Sequence, residues 1–340
     1  MLIHEKKIKS LFILWLTSSL FLIFLMIIVG GLTRLTDSGL SITEWELFSG
    51  ILPPLNEKSW EIYFNLYKDI PQYKLINPNM TLDEFKIIFY WEYIHRVLGR
   101  LIGLFFLLPL LYFHFVKKIS FRNLMPYYLI LILIIFQGFI GWYMVTSGLS
   151  DNVTVSHYRL SIHLIIAILI ISIIFWQLLN VKNNKTNIFF NFESYKIPFI
   201  FLIFLLYLQI ILGAFVSGLD AGKIYQTWPY MGNKFFPNDL IFSLNVLIDF
   251  NNHSLVQFYH RNVAYFISFY ILILCFYILR KKNKKFFKHT LFLLFILLTQ
   301  VFLGIFTLIS NLNILLASAH QISSVILVLG ALNLYYSIIK

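Results

Sequence analysis

Cysteine occurs once in this 340-residue chain, as Cys275. A single thiol excludes an intramolecular disulfide and a cluster of metal-bound thiolates. It lies in an apolar run and reads as a small core or lipid-facing residue. Charge is scarce as well. Asp, Glu, Lys and Arg make up 12% of the residues, against about 25% in soluble domains. No phosphate-binding loop, nucleophile elbow or Cys-x-x-Cys-His sequence is present, which removes the usual signatures of P-loop and α/β-hydrolase chemistry. No Arg-rich transit segment and no cleavable signal precede the first apolar run. That favours a bacterial plasma membrane over import into an organelle.

What is present is apolar. Hydrophobic residues make up 59% of the chain, and the mean hydropathy is +0.79. A soluble core of this size could not hide so much apolar side chain, so lipid is the solvent for most of it. A span needs about 20 mainly apolar residues. Eight such runs occur: Leu11–Gly30, Ile88–Phe115, Leu124–Val145, His157–Leu179, Ile197–Ser217, Leu255–Leu279, Thr290–Ile309 and Ile314–Ile339. Their length makes them helices, because barrel strands are short and alternate.

The net charge of +12 is a topology signal rather than a nucleic-acid footprint. Most cations fall in one alternating set of segments: Lys6, Lys7 and Lys9; Lys117, Lys118 and Arg122; Lys182, Lys185 and Lys196; Arg280 to Lys288; and Lys340. Only Glu5 and Glu193 are acids there. Cationic loops stay cytoplasmic, so both termini are expected inside. Two outer loops, 31–87 and 218–254, are long. The first holds Thr43-Glu44-Trp45, Pro53-Pro54, Trp60 and Pro71, and is expected to contain short interfacial helices and to act as a cap.

The chain repeats itself. Tyr93-Ile94-His95-Arg96 opens the second span and Phe258-Tyr259-His260-Arg261 the sixth. Gln137-Gly138-Phe139-Ile140-Gly141 in the third resembles Gln300-Val301-Phe302-Leu303-Gly304 in the seventh, and His163 has its counterpart in His320. The expected architecture is an all-α membrane protein of two four-helix bundles, residues 1–180 and 181–340. An even number of spans in each half relates them by a pseudo-two-fold axis along the membrane normal. Gly99 and Gly103 form a GxxxG, read as helix packing. Gln-x-x-x-Gly at Gln137, Gln209 and Gln300 is read as interhelical hydrogen bonding and close approach.

Of nine histidines, His4, His114, His253 and His289 lie at span ends or in loops and read as solvated or interfacial. His157 lies at the outer mouth of the fourth span, where it could assist a site. His95, His163, His260 and His320 fall one per even-numbered span, at one expected depth near the outer face. A lone intramembrane histidine could be a satisfied hydrogen bonder, but four at one depth, two per repeat, point to function. Two facing imidazoles in a bundle suit haem iron. Zinc is the competitor, and it ordinarily wants four ligands. Arg96 and Arg261 follow a ligand histidine and could pair with haem propionates, or simply snorkel. The halves differ at one position. Glu92 precedes His95 by three residues, whereas Gln257 precedes His260 by three. A carboxylate can take protons and an amide cannot, so the first site is expected to do chemistry and the second to hold a permanent haem. The competing role for Glu92 is an ion pair with Arg96 at i+4.

These residues resemble a known family. The stretch from Gly30-Gly31-Leu32-Thr33-Arg34 through Asp37-Ser38-Gly39-Leu40-Ser41-Ile42-Thr43-Glu44-Trp45, then Pro53-Pro54, then Glu92-Tyr93-Ile94-His95-Arg96-Val97-Leu98-Gly99-Arg100, is similar to haem A synthase. The resemblance runs from about residue 11 to the C-terminus. It implies an oxidoreductase that converts the C8 methyl of haem O to a formyl group, through successive hydroxylations to a geminal diol and loss of water, giving haem A for cytochrome oxidase. It implies that His95 and His163 flank the substrate haem, that His260 and His320 ligate a haem b cofactor, and that Glu92 is the essential carboxylate. A haem O synthase is the implied donor, and the electron acceptor is left open, as is homo-oligomerisation. Many bacterial members carry a cysteine pair in outer loops. This chain lacks it and resembles the mitochondrial and alphaproteobacterial branch. Two other classes fit the histidines alone: a quinone-linked dihaem b-type electron-transfer protein, and a haem carrier.

Overall fold

The computed structural model describes residues 5–45, 49–116, 119–149, 153–190, 192–241, 243–281 and 284–339. His4, Lys117, Lys118, Lys282 and Lys340, invoked above, lie outside them. In chain order the α-helices are α1 (Lys6–Leu35), the short α2 (Glu57–Lys68) and α3 (Pro71–Leu75), α4 (Leu82–Phe115), α5 (Phe121–Thr146), α6 (His157–Lys182), α7 (Ile197–Gly218), the single-turn α8 (Leu244–Leu247), α9 (His253–Arg280), α10 (Lys284–Ile309) and α11 (Ile314–Ile339). Eight of these helices are long and apolar enough to cross a membrane, and each expected run lies inside one of them. The helices overrun the apolar windows because caps, which hydropathy does not register, extend the backbone ladder. α4 is the largest case. Thr81 Oγ1 accepts from the Glu84 N–H at 3.3 Å, and Glu84 Oε2 accepts from the Thr81 N–H at 2.8 Å. This reciprocal box satisfies two orphan donors and starts the helix at Leu82 rather than Ile88.

The chain forms two compact units, one of Thr17–Ile170 and one of Met1–Leu16 with Ile171–Lys340. In the first unit the long loop is a folded cap. α2 is capped by Asn56, which accepts from the Ser59 N–H at 2.8 Å. Trp60, Phe64 and Tyr67 share one face of α2 at helical spacing. They bury against Leu40, Ile42, Ile70, Phe85, Ile88 and Phe89. Tyr67 is fully buried, which pushes its phenol pKa up. Its hydroxyl donates to Gln72 Oε1 at 3.1 Å, and Gln72 Nε2 donates to the Asp37 carbonyl at 3.1 Å. The apolar face and this polar chain together hold the loop on the early turns of α4. Within α4, Gly99 meets the Met26 side chain, whereas a Cβ built at Gly103 touches nothing within 4 Å. Of the GxxxG pair, only Gly99 is a packing position among the described residues.

In the second unit α7 packs on α9, α9 on α10, α10 on α11 and α11 on α7, closing a four-helix ring. Cys275 is buried, the core reading of the two. The loop after α7 is tied back by Asp239. Its carboxylate accepts from the Tyr225 hydroxyl at 2.5 Å and from the Ser254 hydroxyl, on the first turn of α9, at 2.6 Å.

Candidate functional site

The four intramembrane histidines form two facing pairs. His95 on α4 and His163 on α6 have ring centroids 6.3 Å apart. His260 on α9 and His320 on α11 have centroids 6.4 Å apart. All four rings are half-buried. Two imidazoles ligating one ion from opposite sides, each through a metal–nitrogen bond of about 2 Å, bring their ring centroids roughly 6 Å apart, which both pairs match.

Each ring rests against a glycine of the preceding long helix. A Cβ built at Gly30 would lie 3.1 Å from His95 Nε2, and one at Gly141 3.1 Å from His163 Cε1. At Gly213 it would lie 3.2 Å from His260 Cε1, and at Gly304 2.8 Å from His320 Cε1. A Cβ at Gly304 would force the His320 ring to shift, and at the other three positions the ring would have to give by a few tenths of an ångström. Three glutamines, one helical turn before three of those glycines, fasten the histidines from the same helices. Gln137 Nε2 donates to the His163 carbonyl at 2.9 Å, and Gln209 Nε2 to the His260 carbonyl at 2.9 Å. The Gln300 backbone carbonyl lies 3.2 Å from His320 Nδ1. That is the acceptor an imidazole needs on one nitrogen when the other ligates a metal. The expected interhelical bonding by the glutamines is present, and its targets are the histidines.

The position three residues before each pair's first histidine latches a loop. Glu92 is 2% exposed and accepts four hydrogen bonds. Oε2 takes the Ser41 hydroxyl at 2.8 Å and the Ile42 N–H at 2.9 Å. Oε1 takes Arg96 Nη2 at 2.6 Å and Nε at 3.1 Å. Arg96 also donates to the carbonyls of Ile42 at 2.9 Å and Glu44 at 3.3 Å, beneath the Trp45 ring. Gln257, also 2% exposed, donates to the Tyr225 carbonyl at 2.8 Å, and its Oε1 has no partner among the described residues. Arg261 donates to the carbonyls of Tyr225 and Thr227, both at 2.8 Å. The i+4 ion pair of Glu92 with Arg96 therefore exists. It coexists with the loop contacts rather than replacing them.

His260 and His320 line an apolar cavity of about 210 Å³, walled by Leu297, Val301, Ile305 and Leu308, with Gln257 and Arg261 also lining it. Among the described residues no three His, Cys, Asp or Glu come together as a metal cluster. Paired imidazoles with glycine surfaces behind them, and at His260 and His320 an apolar cavity, would suit a planar group that brings further metal ligands of its own. They do not fit a zinc ion that needs four from the protein.

A family model described as cytochrome oxidase assembly protein matches residues 13–332. The chain belongs to that family. Proteins named heme A synthase are among its relatives. That of Pelagibacter ubique is 53% identical over 319 residues, 92% of each chain. That of Rickettsia felis is 42% identical over 336 residues, 98% of this chain and 99% of that one. That of Rickettsia bellii is 43% identical over 330 residues, 96% and 97%.

The remaining histidines of this family member play lesser parts. His253 is exposed at the start of α9. His114 bonds the Tyr128 hydroxyl, and His289 lies 3.2 Å from Asn333 Nδ2. These two are partnered within the helices rather than simply solvated. His157 is buried at the start of α6, its ring against Tyr158. Sequence inspection missed Ser41 and Ile42, because their bonds to Glu92 span 51 and 50 residues. It also missed Gly30. The repeated Gln-x-x-x-Gly would have found Gly30 had the glutamine not been replaced there by Met26.

Proposed function

We propose that this chain is a haem A synthase, oxidising the C8 methyl of haem O to a formyl group for use by a terminal oxidase. One observation carries the reading: two imidazole pairs built alike, with a carboxylate beside one and an amide beside the other. The names of its relatives support the activity. On this reading His95 and His163 hold haem O, and His260 and His320 hold a resident haem b whose iron supplies redox chemistry. Taking a methyl to a formyl group is a four-electron oxidation that needs an electron acceptor and an oxygen atom from water or dioxygen, and Glu92 would be the carboxylate that accepts a proton lost from the carbon. Because its four acceptor contacts are filled, taking a proton requires one of them to yield. Arg96 and Arg261 close the two loops and offer their remaining N–H groups to haem propionates. The charge bias puts both termini in the cytoplasm of a bacterium and the haem sites towards the outer face. A haem O synthase is the donor on this reading.

The test is co-expression with a haem O synthase in a host that makes no haem A, followed by chromatography of the extracted haems. Haem A or its hydroxylated precursor is expected. Only haem O and haem B, from a folded and haem-loaded protein, would reject the synthase in favour of an electron-transfer or carrier protein.

A further inference from the structure

The four glycine-backed histidines are not fastened equally. Gln137, Gln209 and Gln300 stand one turn before Gly141, Gly213 and Gly304. Each contacts the histidine of the following long helix. Gln137 and Gln209 do so at the backbone carbonyl. Gln209 also lies 3.1 Å from His260 Nδ1, whereas Gln300 holds the His320 ring through its backbone carbonyl, 3.2 Å from Nδ1. The corresponding place before Gly30 is Met26. A thioether carries no N–H to donate. Its terminal methyl packs at Gly99, 3.4 Å from a Cβ built there. Residue 99 is the one whose N–H bonds the His95 carbonyl in an α-helix. Met26 thus packs beside that donor, and brings an apolar contact where its counterparts Gln137 and Gln209 bring an amide.

We propose that Met26 makes His95 the yielding ligand of the four, the side from which an exchangeable haem enters and leaves, while His163 and His260, whose carbonyls each take a glutamine amide, and His320, whose Nδ1 faces the Gln300 carbonyl, hold on. This rests on reading the first unit as the substrate site. A substrate site must release product and a resident site must not. Loss of an outer partner that orients a ligating imidazole typically weakens metal binding by about 10–100-fold; a bond to the histidine's backbone carbonyl acts through the helix that carries the ring, and the lower end of that range is the effect expected here.

The test uses the purified full-length protein loaded with haem B in both sites and mixed with excess apomyoglobin as haem acceptor, with transfer followed by absorbance. The wild type is expected to release haem in a fast and a slow phase. Met26→Gln is expected to slow the fast phase about tenfold or more, and Met26→Leu to leave it unchanged. Gln209→Met is expected to accelerate the slow phase alone. Should Met26→Gln fail to fold, Gln209→Met carries the test by itself. An unmoved fast phase in folded Met26→Gln, or an unmoved slow phase in Gln209→Met, overturns the proposal. Haem A formation by the same preparations separates two failures. Intact turnover with unmoved phases rejects the role of Met26 alone, whereas single-phase release and no haem A from the wild type rejects the substrate-site reading beneath it.

Discussion

Glu92 and Gln257 occupy the same place in the two units and do the same mechanical work in opposite senses. Glu92 receives its loop, from the Ser41 hydroxyl and the Ile42 N–H. Gln257 gives to its loop, at the Tyr225 carbonyl. A latch made of donors converging on a carboxylate loosens when that carboxylate is protonated. A latch made by an amide donor does not respond to protons at all. On the proposed reading, one architecture gives a first latch that a proton would loosen and a second that is indifferent to protons.

The largest expected effect comes from erasing this difference. Glu92→Gln makes the first latch like the second, and should keep haem content while lowering haem A output by about 10²–10⁴-fold, the usual worth of a positioned proton acceptor. Chromatography of haems from equal amounts of folded protein reads it, and wild-type output would remove Glu92 from the chemistry. The glycine surfaces offer a graded comparison. Gly304→Ala places a Cβ 2.8 Å from the His320 ring, and Gly213→Ala one 3.2 Å from the His260 ring. Gly304→Ala should cost roughly 1–3 kcal/mol of stability and shift the haem absorption spectrum, with Gly213→Ala milder on both counts. Equal effects would show that the rings are not seated on the glycines.

Ser41→Ala removes one hydrogen bond to a buried carboxylate, worth about 1.5–3 kcal/mol. Ser254→Ala removes one to exposed Asp239 and should cost less. Thermal unfolding in detergent compares them, and a Ser254→Ala penalty as large as that of Ser41→Ala would erase the contrast between buried and exposed latches. The smallest effect is a pH dependence. Partial burial works against the charge on Asp239, but hydrogen bonds from Ser254 and Tyr225 outweigh it and hold its carboxyl below the ordinary value. A depressed folded pKa contributes stability above the unfolded value, and that contribution is lost as pH falls through the depressed one. Asp239→Asn should therefore flatten the acid limb of unfolding temperature against pH, and an unchanged limb would assign it to other carboxylates.

The eight spans, the recurring histidines and the contrast of Glu92 with Gln257 were legible in the sequence, because each is a local or periodic signal. An apolar run announces a helix, a repeated motif announces repeated geometry, and a residue three places before a ligand lies on its face of the helix. The GxxxG was legible as a motif, yet Gly99 touches Met26 while Gly103 touches nothing. The guanidinium groups of Arg96 and Arg261 were legible as charges beside the paired histidines. The loop carbonyls they hold were not.

Sequence by itself determined that this is a membrane protein of eight helices, which four histidines recur in the repeat, and that a carboxylate stands beside one pair and an amide beside the other. Tertiary structure alone decided that Ser41 and Ile42 return to Glu92 across 51 and 50 residues, that a glycine lies behind each of the four paired imidazoles, and that Met26 packs at Gly99. The physical reason is that hydropathy and spacing act along one helix, whereas these contacts exist only after separate helices and a long loop have closed upon each other.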